Sequence, residues 1–178
     1  ATFVQVRETY LEHEECLAET KIVVAICRAH GVKCVINDAV DIAVESGADG
    51  VHVGQEDLEA GLARERLGPD RIIGVSAHNA EEARRAQAAG ADYIGSGAAF
   101  ATSTKENASP IGPEGLRSVV EAVDIPVVAI GGITRENISE LDGLGLAGVA
   151  VVSALFAQPD VEAAARELLP LCEKLAEK

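Results

Sequence analysis

Asp38 and Asp57 stand just beyond two short apolar runs, Lys-Cys-Val-Ile-Asn at 33–37 and Gly-Val-His-Val at 50–53, and each precedes a helix-forming segment. A carboxylate in that place can start a helix by capping its free N–H groups. Two of them on adjacent strand ends also suit Mg2+, which one or two carboxylates hold while water and phosphate oxygens complete the octahedron. Both readings stand on these residues alone. Arg7, Asn37 and Lys105 can surround a phosphate at the same place. Lys105 lies with Thr102, Ser103 and Thr104 in the longest loop, into which a strand opens at residues 95–112, which suits a lid that excludes water. Further along, Gly-Gly-Ile-Thr at 131–134 and Ser153 after Val152 enter helices, where exposed backbone N–H groups bind phosphate. Thr134 and Ser153 can also simply cap those helices.

Other chemistries find little support. His13, His30, His52 and His78 lack metal-ligand spacing, and His52, inside a strand, reads as a core or barrel-lining residue. No Gly-x-Ser-x-Gly context marks a nucleophile. The site favours electrostatic and metal-assisted chemistry over covalent catalysis. The 15 Lys and Arg against 29 Asp and Glu, a net charge of −14, argue against a nucleic-acid or anionic-membrane surface, while a local basic cluster or metal still allows an anionic small substrate. Cys16, Cys27, Cys34 and Cys172 form no Cys-x-x-Cys pair and read as thiols in a reducing cytoplasm. No apolar run reaches membrane-spanning length, and no signal-peptide pattern is visible.

These side chains need a scaffold that gathers strand ends. Short β-branched runs at 2–6, 33–37, 50–53, 71–75, 92–96, 126–130 and 148–152 alternate with helical patterns, the signature of βα units around a parallel sheet. The segment from Glu14 to Gly31 reads as a helix with a glycine stop, and Asn79-x-x-Glu82 as a capping box. Gly-Ala-Asp at 47–49 and 90–92 and Gly-Leu-Ala at 145–147 recur where a helix hands over to the next strand. Only 3% of residues are aromatic, which leaves packing to Val, Ile, Leu and Ala, as in a parallel sheet under Ala-rich helices. A doubly wound sheet would carry Gly-x-Gly-x-x-Gly after its first strand, and none is present. The expected fold is therefore α/β, a (β/α)8 TIM barrel, with residues 1–178 as one domain. Seven strands are counted where eight are needed, and the chain opens on Ala-Thr-Phe-Val without Met, so the first βα unit is expected to be lacking. Exposed strand edges would then favour a homo-oligomer.

Gln-Val-Arg-Glu at 5–8, Ile-Asn-Asp at 36–38, residues 50–57, Ile-Gly-Val-Ser-Ala-His-Asn at 73–79, Thr-Ser-Thr-Lys at 102–105, Ala-Ile-Gly-Gly-Ile-Thr at 129–134 and residues 148–156 together resemble the thiamine-phosphate synthase family. The resemblance is collinear over most of the chain. It implies a barrel that couples hydroxymethylpyrimidine diphosphate with hydroxyethylthiazole phosphate, giving thiamine phosphate and diphosphate. It implies that Gln5, Arg7, Asn37, Ser76 and Lys105 hold the pyrimidine diphosphate, with Arg7, Ser76 and Lys105 acting in catalysis. Asp38 and Asp57 match the Mg2+ ligands, and Thr102, Ser103, Thr104, Gly132, Val152 and Ser153 match the thiazole-phosphate contacts. Thr9 departs from the family pattern, which continues with Lys, a diphosphate contact. A thiazole tautomerase of similar fold would carry histidine where Ala98 follows Gly97. A non-catalytic phosphate or thiamine-phosphate binder would not need Asp38, Asp57, Ser76 and Lys105. A sugar-phosphate isomerase would need a general base that no paired carboxylate or lysine supplies.

Overall fold

Short β-branched runs bounded by Gly, Asp or Pro fit the pleated, buried surface of a parallel sheet. The computed structural model, which describes residues 1–55, 60–102 and 109–176, forms strands from all seven. They are β1 (Phe3–Val6), β2 (Lys33–Asn37), β3 (Gly50–Val53), β4 (Ile72–Ala77), β5 (Tyr93–Ser96), β6 (Val127–Ile130) and β7 (Gly148–Ala150). Between and after them lie α1 (His13–Ala29), α2 (Val40–Ser46), α3 (Ala60–Leu67), α4 (Ala80–Ala88), α5 (Gly112–Val120), α6 (Ser153–Phe156) and α7 (Val161–Ala176). Strand order follows chain order, and β1–β2, β2–β3, β3–β4, β5–β6 and β6–β7 all pair in parallel.

Several strand starts shift by a residue from expectation, and three differences are larger. β7 stops at Ala150, because Val152 turns to φ −119°, ψ −73° and its carbonyl accepts the Leu155 and Phe156 N–H groups. β4 runs on to Ala77 and takes in Ser76. After β6 the chain forms only a 3-10 turn, Ile138–Leu141, in place of an α-helix. The capping box at α4 is half formed. The Glu82 N–H donates to Asn79 Oδ1 at 2.9 Å, but the Glu82 carboxylate accepts from the His78 N–H at 2.8 Å, one residue before its usual partner.

The chain divides into two compact units, Ala1–Val75 with Ala89–Asp92, and Ser76–Ala88 with Tyr93–Lys178. In the first unit, register places Cys34 and Ile36 beside Val51, Val53, Ile73 and Val75 on one sheet face, all nearly without solvent exposure. Leu17, Val24 and Cys27 of α1 and Val40, Ile42 and Ala43 of α2 are buried in the same unit. Burial of a side chain of that size contributes about 1.5–3 kcal/mol. In the second unit Ile94, Val127 and Ala129 form the buried face of the sheet, and Leu116, Val119, Ile138 and Leu141 complete the core.

The recurring Gly-Ala-Asp acts as a staple at the strand entries. Asp49 accepts the Cys34 N–H at 2.9 Å and returns its own N–H to the Cys34 carbonyl at 2.8 Å. Asp92 repeats this with Ile73, at 2.7 Å in both directions. Ala147 keeps the backbone half, N–H to the Val127 carbonyl at 2.8 Å, and has no carboxylate for the other. Burial alone would raise the Asp49 pKa, but the Lys33 ammonium at 2.8 Å and the Cys34 N–H outweigh it and hold the carboxyl below its usual value. Arg64 adds a second tie: Nη2 reaches Asp92 at 2.7 Å and the Gly90 carbonyl at 3.2 Å, while Nη1 reaches the Gly68 carbonyl at 3.1 Å. The N-terminal ends of neighbouring strands are thereby tied together in register.

Candidate active site

Parallel pairing aligns Gln5 with Val35, and Asn37 with His52 and Gly74. Side chains alternate along a strand. Gln5, Asn37 and His52 therefore share the sheet face opposite Ile36, Val51 and Val75, and Ser76 continues the side of Gly74 along β4. Gln5 and Arg7 are exposed, whereas Asn37 and Ser76 are half-buried. After Arg7, Glu8 accepts the Thr9 and Tyr10 N–H groups at 2.7 and 2.6 Å, bonds that hold its pKa below the usual value and fix the turn.

His52 shares this polar face beside Asn37, with only 8% exposure, in keeping with a sheet-lining residue. Desolvation pushes its pKa down to about 4, so the imidazole is neutral at pH 7. An unfolded chain takes up this proton near pH 6.5, whereas the folded chain resists until about pH 4. Stability contributed by neutral His52 is complete above pH 6.5 and is lost as pH falls toward 4, about 3 kcal/mol in all. Urea unfolding at pH 7 and pH 4.5 should show a steep loss in the native chain and a shallower one in His52→Asn; equal slopes would refute it.

Asp38 adopts the left-handed conformation, φ 59°, the one non-glycine residue to do so among the described residues. Aspartate tolerates this better than most residues, at a cost of about 1–3 kcal/mol when the surroundings enforce it. Here the Asp38 N–H is tied to the His52 carbonyl at 2.9 Å, and the Ala39 N–H to the Asn37 carbonyl at 2.7 Å. Asn37 Nδ2 donates to the Asp38 carboxylate at 2.6 Å. Asp38 does not cap α2, whose N-cap is Ala39 with no side-chain bond, so the capping alternative falls for this residue. A carboxylate beside a carboxamide is a hard oxygen donor set that fits Mg2+ better than a thiophilic metal. Among the described residues no group of three or more His, Cys, Asp and Glu gathers as a metal site. Asp57, Ser103, Thr104 and Lys105 lie outside the described residues.

In the second unit, the turn after Ser76 is latched by Glu82, which also accepts from His78 Nδ1 at 2.9 Å and Asn79 Nδ2 at 2.7 Å. The double glycine is required by geometry. Gly131 and Gly132 have φ of 96° and 66°. A Cβ on Gly132 would lie 2.4 Å from the Ala101 carbonyl oxygen and 2.8 Å from that of Phe100. The Phe100 N–H in turn donates to the Gly131 carbonyl at 3.0 Å, so the segment before Thr102 is closed onto the glycines. Thr134 does not cap an α-helix: its hydroxyl accepts the Glu136 N–H at 3.3 Å in a local turn. Ser153 is the first residue of α6, behind Val152, and makes no cap. With four residues in α6 and four in the 3-10 turn, any affinity for phosphate here rests on unpaired N–H groups more than on helix dipoles.

Comparison with known proteins identifies the family. The family model described as thiamine monophosphate synthase matches residues 1–155. The thiamine-phosphate synthase of Moorella thermoacetica is 47% identical over 94% of this chain and 80% of its own length. The chloroplastic thiamine biosynthetic bifunctional enzyme of Arabidopsis thaliana is 52% identical over 94% of this chain, which spans only 33% of that protein. A solved thiamine phosphate pyrophosphorylase from Pyrococcus furiosus superposes with a TM-score of 0.92 at 40% identity, covering 99% of this chain and 85% of that one. A 3-hexulose-6-phosphate synthase structure, 22% identical with a TM-score of 0.71 over 96% of this chain and 86% of that one, shares the fold alone. The fold is thus a TIM-like α/β architecture, and no helix among the described residues is long and apolar enough to cross a membrane. With the family model matched over residues 1–155 and relatives of about this size nearly half identical over most of the chain, the chain belongs to the thiamine-phosphate synthase family, as a transferase of thiamine biosynthesis that forms thiamine phosphate.

Proposed function

We propose that this transferase couples hydroxymethylpyrimidine diphosphate with hydroxyethylthiazole phosphate by a dissociative displacement, using Asp38 and Asp57 to hold Mg2+. Gln5, Asn37 and Ser76 orient the pyrimidine, joined by the neutral His52, which the sequence reads as a core or barrel-lining residue. Arg7 and Lys105 meet the negative charge that gathers on the diphosphate as the C–O bond to the pyrimidine methylene breaks and its electron pair departs. When bound, Mg2+ supplies further positive charge to the same oxygens. The thiazole nitrogen then gives its lone pair to the methylene carbon. Thr102, Ser103 and Thr104, with Gly132, Val152 and Ser153, hold the thiazole phosphate so that this capture precedes attack by water. All of residues 1–178 act as one catalytic domain, since both substrates must be present for one displacement.

The observation that supports this reading most is the αL Asp38 carboxylate, tied through its own N–H to His52 and through Asn37 to the polar sheet face. A cytoplasmic setting accords with four free cysteines. Association of copies accords with the exposed Ile22 and Ile26 on α1.

Arg7→Lys tests the assignment of the leaving group. Lysine keeps the charge and loses the planar fork that fits diphosphate oxygens. The expected result is a fall in kcat of about tenfold, with KM for thiazole phosphate unchanged. A change confined to the thiazole-phosphate KM would overturn the role given to Arg7.

A further inference from the structure

Asn137 has no part in the roles assigned above, yet it holds the loop on which thiazole-phosphate binding rests. Its Nδ2 donates to the Gly132 carbonyl at 2.9 Å, and its Oδ1 accepts the Thr134 N–H at 2.8 Å. One half-buried carboxamide therefore closes both ends of the Gly132-Ile133-Thr134 segment. On the other side, Gly132 lies against the backbone of Phe100 and Ala101. Ile133 and Ile138 are buried, 4% and 1% exposed, and anchor the segment in the core.

We infer that Asn137 is a positioning residue for the thiazole phosphate, acting through Gly132; this rests on the reading that Gly132 binds that phosphate. Three features carry it. First, a carbonyl oxygen repels an anion, and Asn137 engages the Gly132 carbonyl as a donor. Second, among the described residues the Gly132 and Ile133 N–H groups donate no hydrogen bond, so two adjacent donors remain for a ligand. Third, successive glycines have the largest backbone freedom of any residues, and an unrestrained Gly131-Gly132 pair would sample many orientations of those donors. The Asn137 carboxamide removes that freedom at the point where a small displacement of the N–H groups weakens anion binding steeply.

Steady-state kinetics of Asn137→Ala give the test. The KM for thiazole phosphate should rise about tenfold, with the KM for pyrimidine diphosphate within about twofold of the native value. Turnover of the thiazole alcohol lacking phosphate should be unchanged, because the loop serves only the phosphate. Asn137→Asp keeps the acceptor for the Thr134 N–H but loses the donor to Gly132 and adds negative charge, so it should be at least as impaired. If Asn137→Ala does not fold, Asn137→Ser serves in its place. An unchanged thiazole-phosphate KM, or parallel losses for both substrates and for the alcohol, would overturn the inference. The amide resonance of Gly132 in the native protein separates this from its premise. If that resonance shifts on adding thiazole phosphate while Asn137→Ala binds normally, only the positioning role fails. If it does not respond, the phosphate assignment fails and takes the role of Asn137 with it.

Discussion

Asp38→Asn should lower kcat/KM for thiamine phosphate formation by about three orders of magnitude and raise the Mg2+ concentration needed for half-maximal rate. Asparagine is the informative replacement because residue 38 sits at φ 59°. Alanine there would add backbone strain to the loss of charge, whereas asparagine accepts the left-handed conformation and closely matches the shape of aspartate. The backbone ties from residue 38 to His52 and from Ala39 to Asn37 do not involve the carboxylate and should survive. Asn37 Nδ2 would face either a carboxamide oxygen or, after a flip, another donor. Circular dichroism and the urea midpoint should stay near native. A folded Asp38→Asn protein with more than about a tenth of native activity and an unshifted Mg2+ requirement would remove Asp38 from the metal-binding role.

Much of this could be read from residue order, and the reasons why the remainder could not are physical. Short β-branched runs between helix-forming segments place β2 and β3 to the residue, because Asp38 stops the first and Asp49 and Gly54 bound the second. The segment from Gly131 to Gly145 carries Thr, Asn, Asp and Gly, which compete locally with helical hydrogen bonds, so a 3-10 turn stands where a helix was expected. His52 was legible as core or barrel-lining, but only the strand register shows that it shares a face with Asn37. Its one signal was period-2 alternation counted from Asn37, and that needs the pairing to be known. The Asp49 and Asp92 staples were legible as a repeat, but their purpose depends on which strand N–H each carboxylate meets. Asn137 left no signal, since a lone Asn three residues after Thr134 is ordinary loop composition.

Gly132→Val should be the second largest loss, about a hundredfold in kcat/KM for thiazole phosphate with the pyrimidine-diphosphate KM little changed. A β-branched residue at φ 66° is strained before any contact is considered. Its Cβ would also fall 2.4 Å from the Ala101 carbonyl oxygen, and backbone cannot yield as a flexible side chain would. The glycine loop and the 100–101 segment would be forced apart, moving the unpaired N–H groups and disturbing the approach to Thr102. Gly132→Ala should act in the same direction to a smaller extent. A folded Gly132→Val protein that retains native thiazole-phosphate kinetics would show that the phosphate binds elsewhere.

The most direct measurement is product formation by this chain from hydroxymethylpyrimidine diphosphate and hydroxyethylthiazole phosphate, with Mg2+ and after its removal by a chelator. Thiamine phosphate and diphosphate should appear in equal amounts with Mg2+, stop on chelation and resume when Mg2+ is restored. Product formation that chelation leaves untouched, or none at all from the folded chain with both substrates and Mg2+ present, would contradict the proposed mechanism.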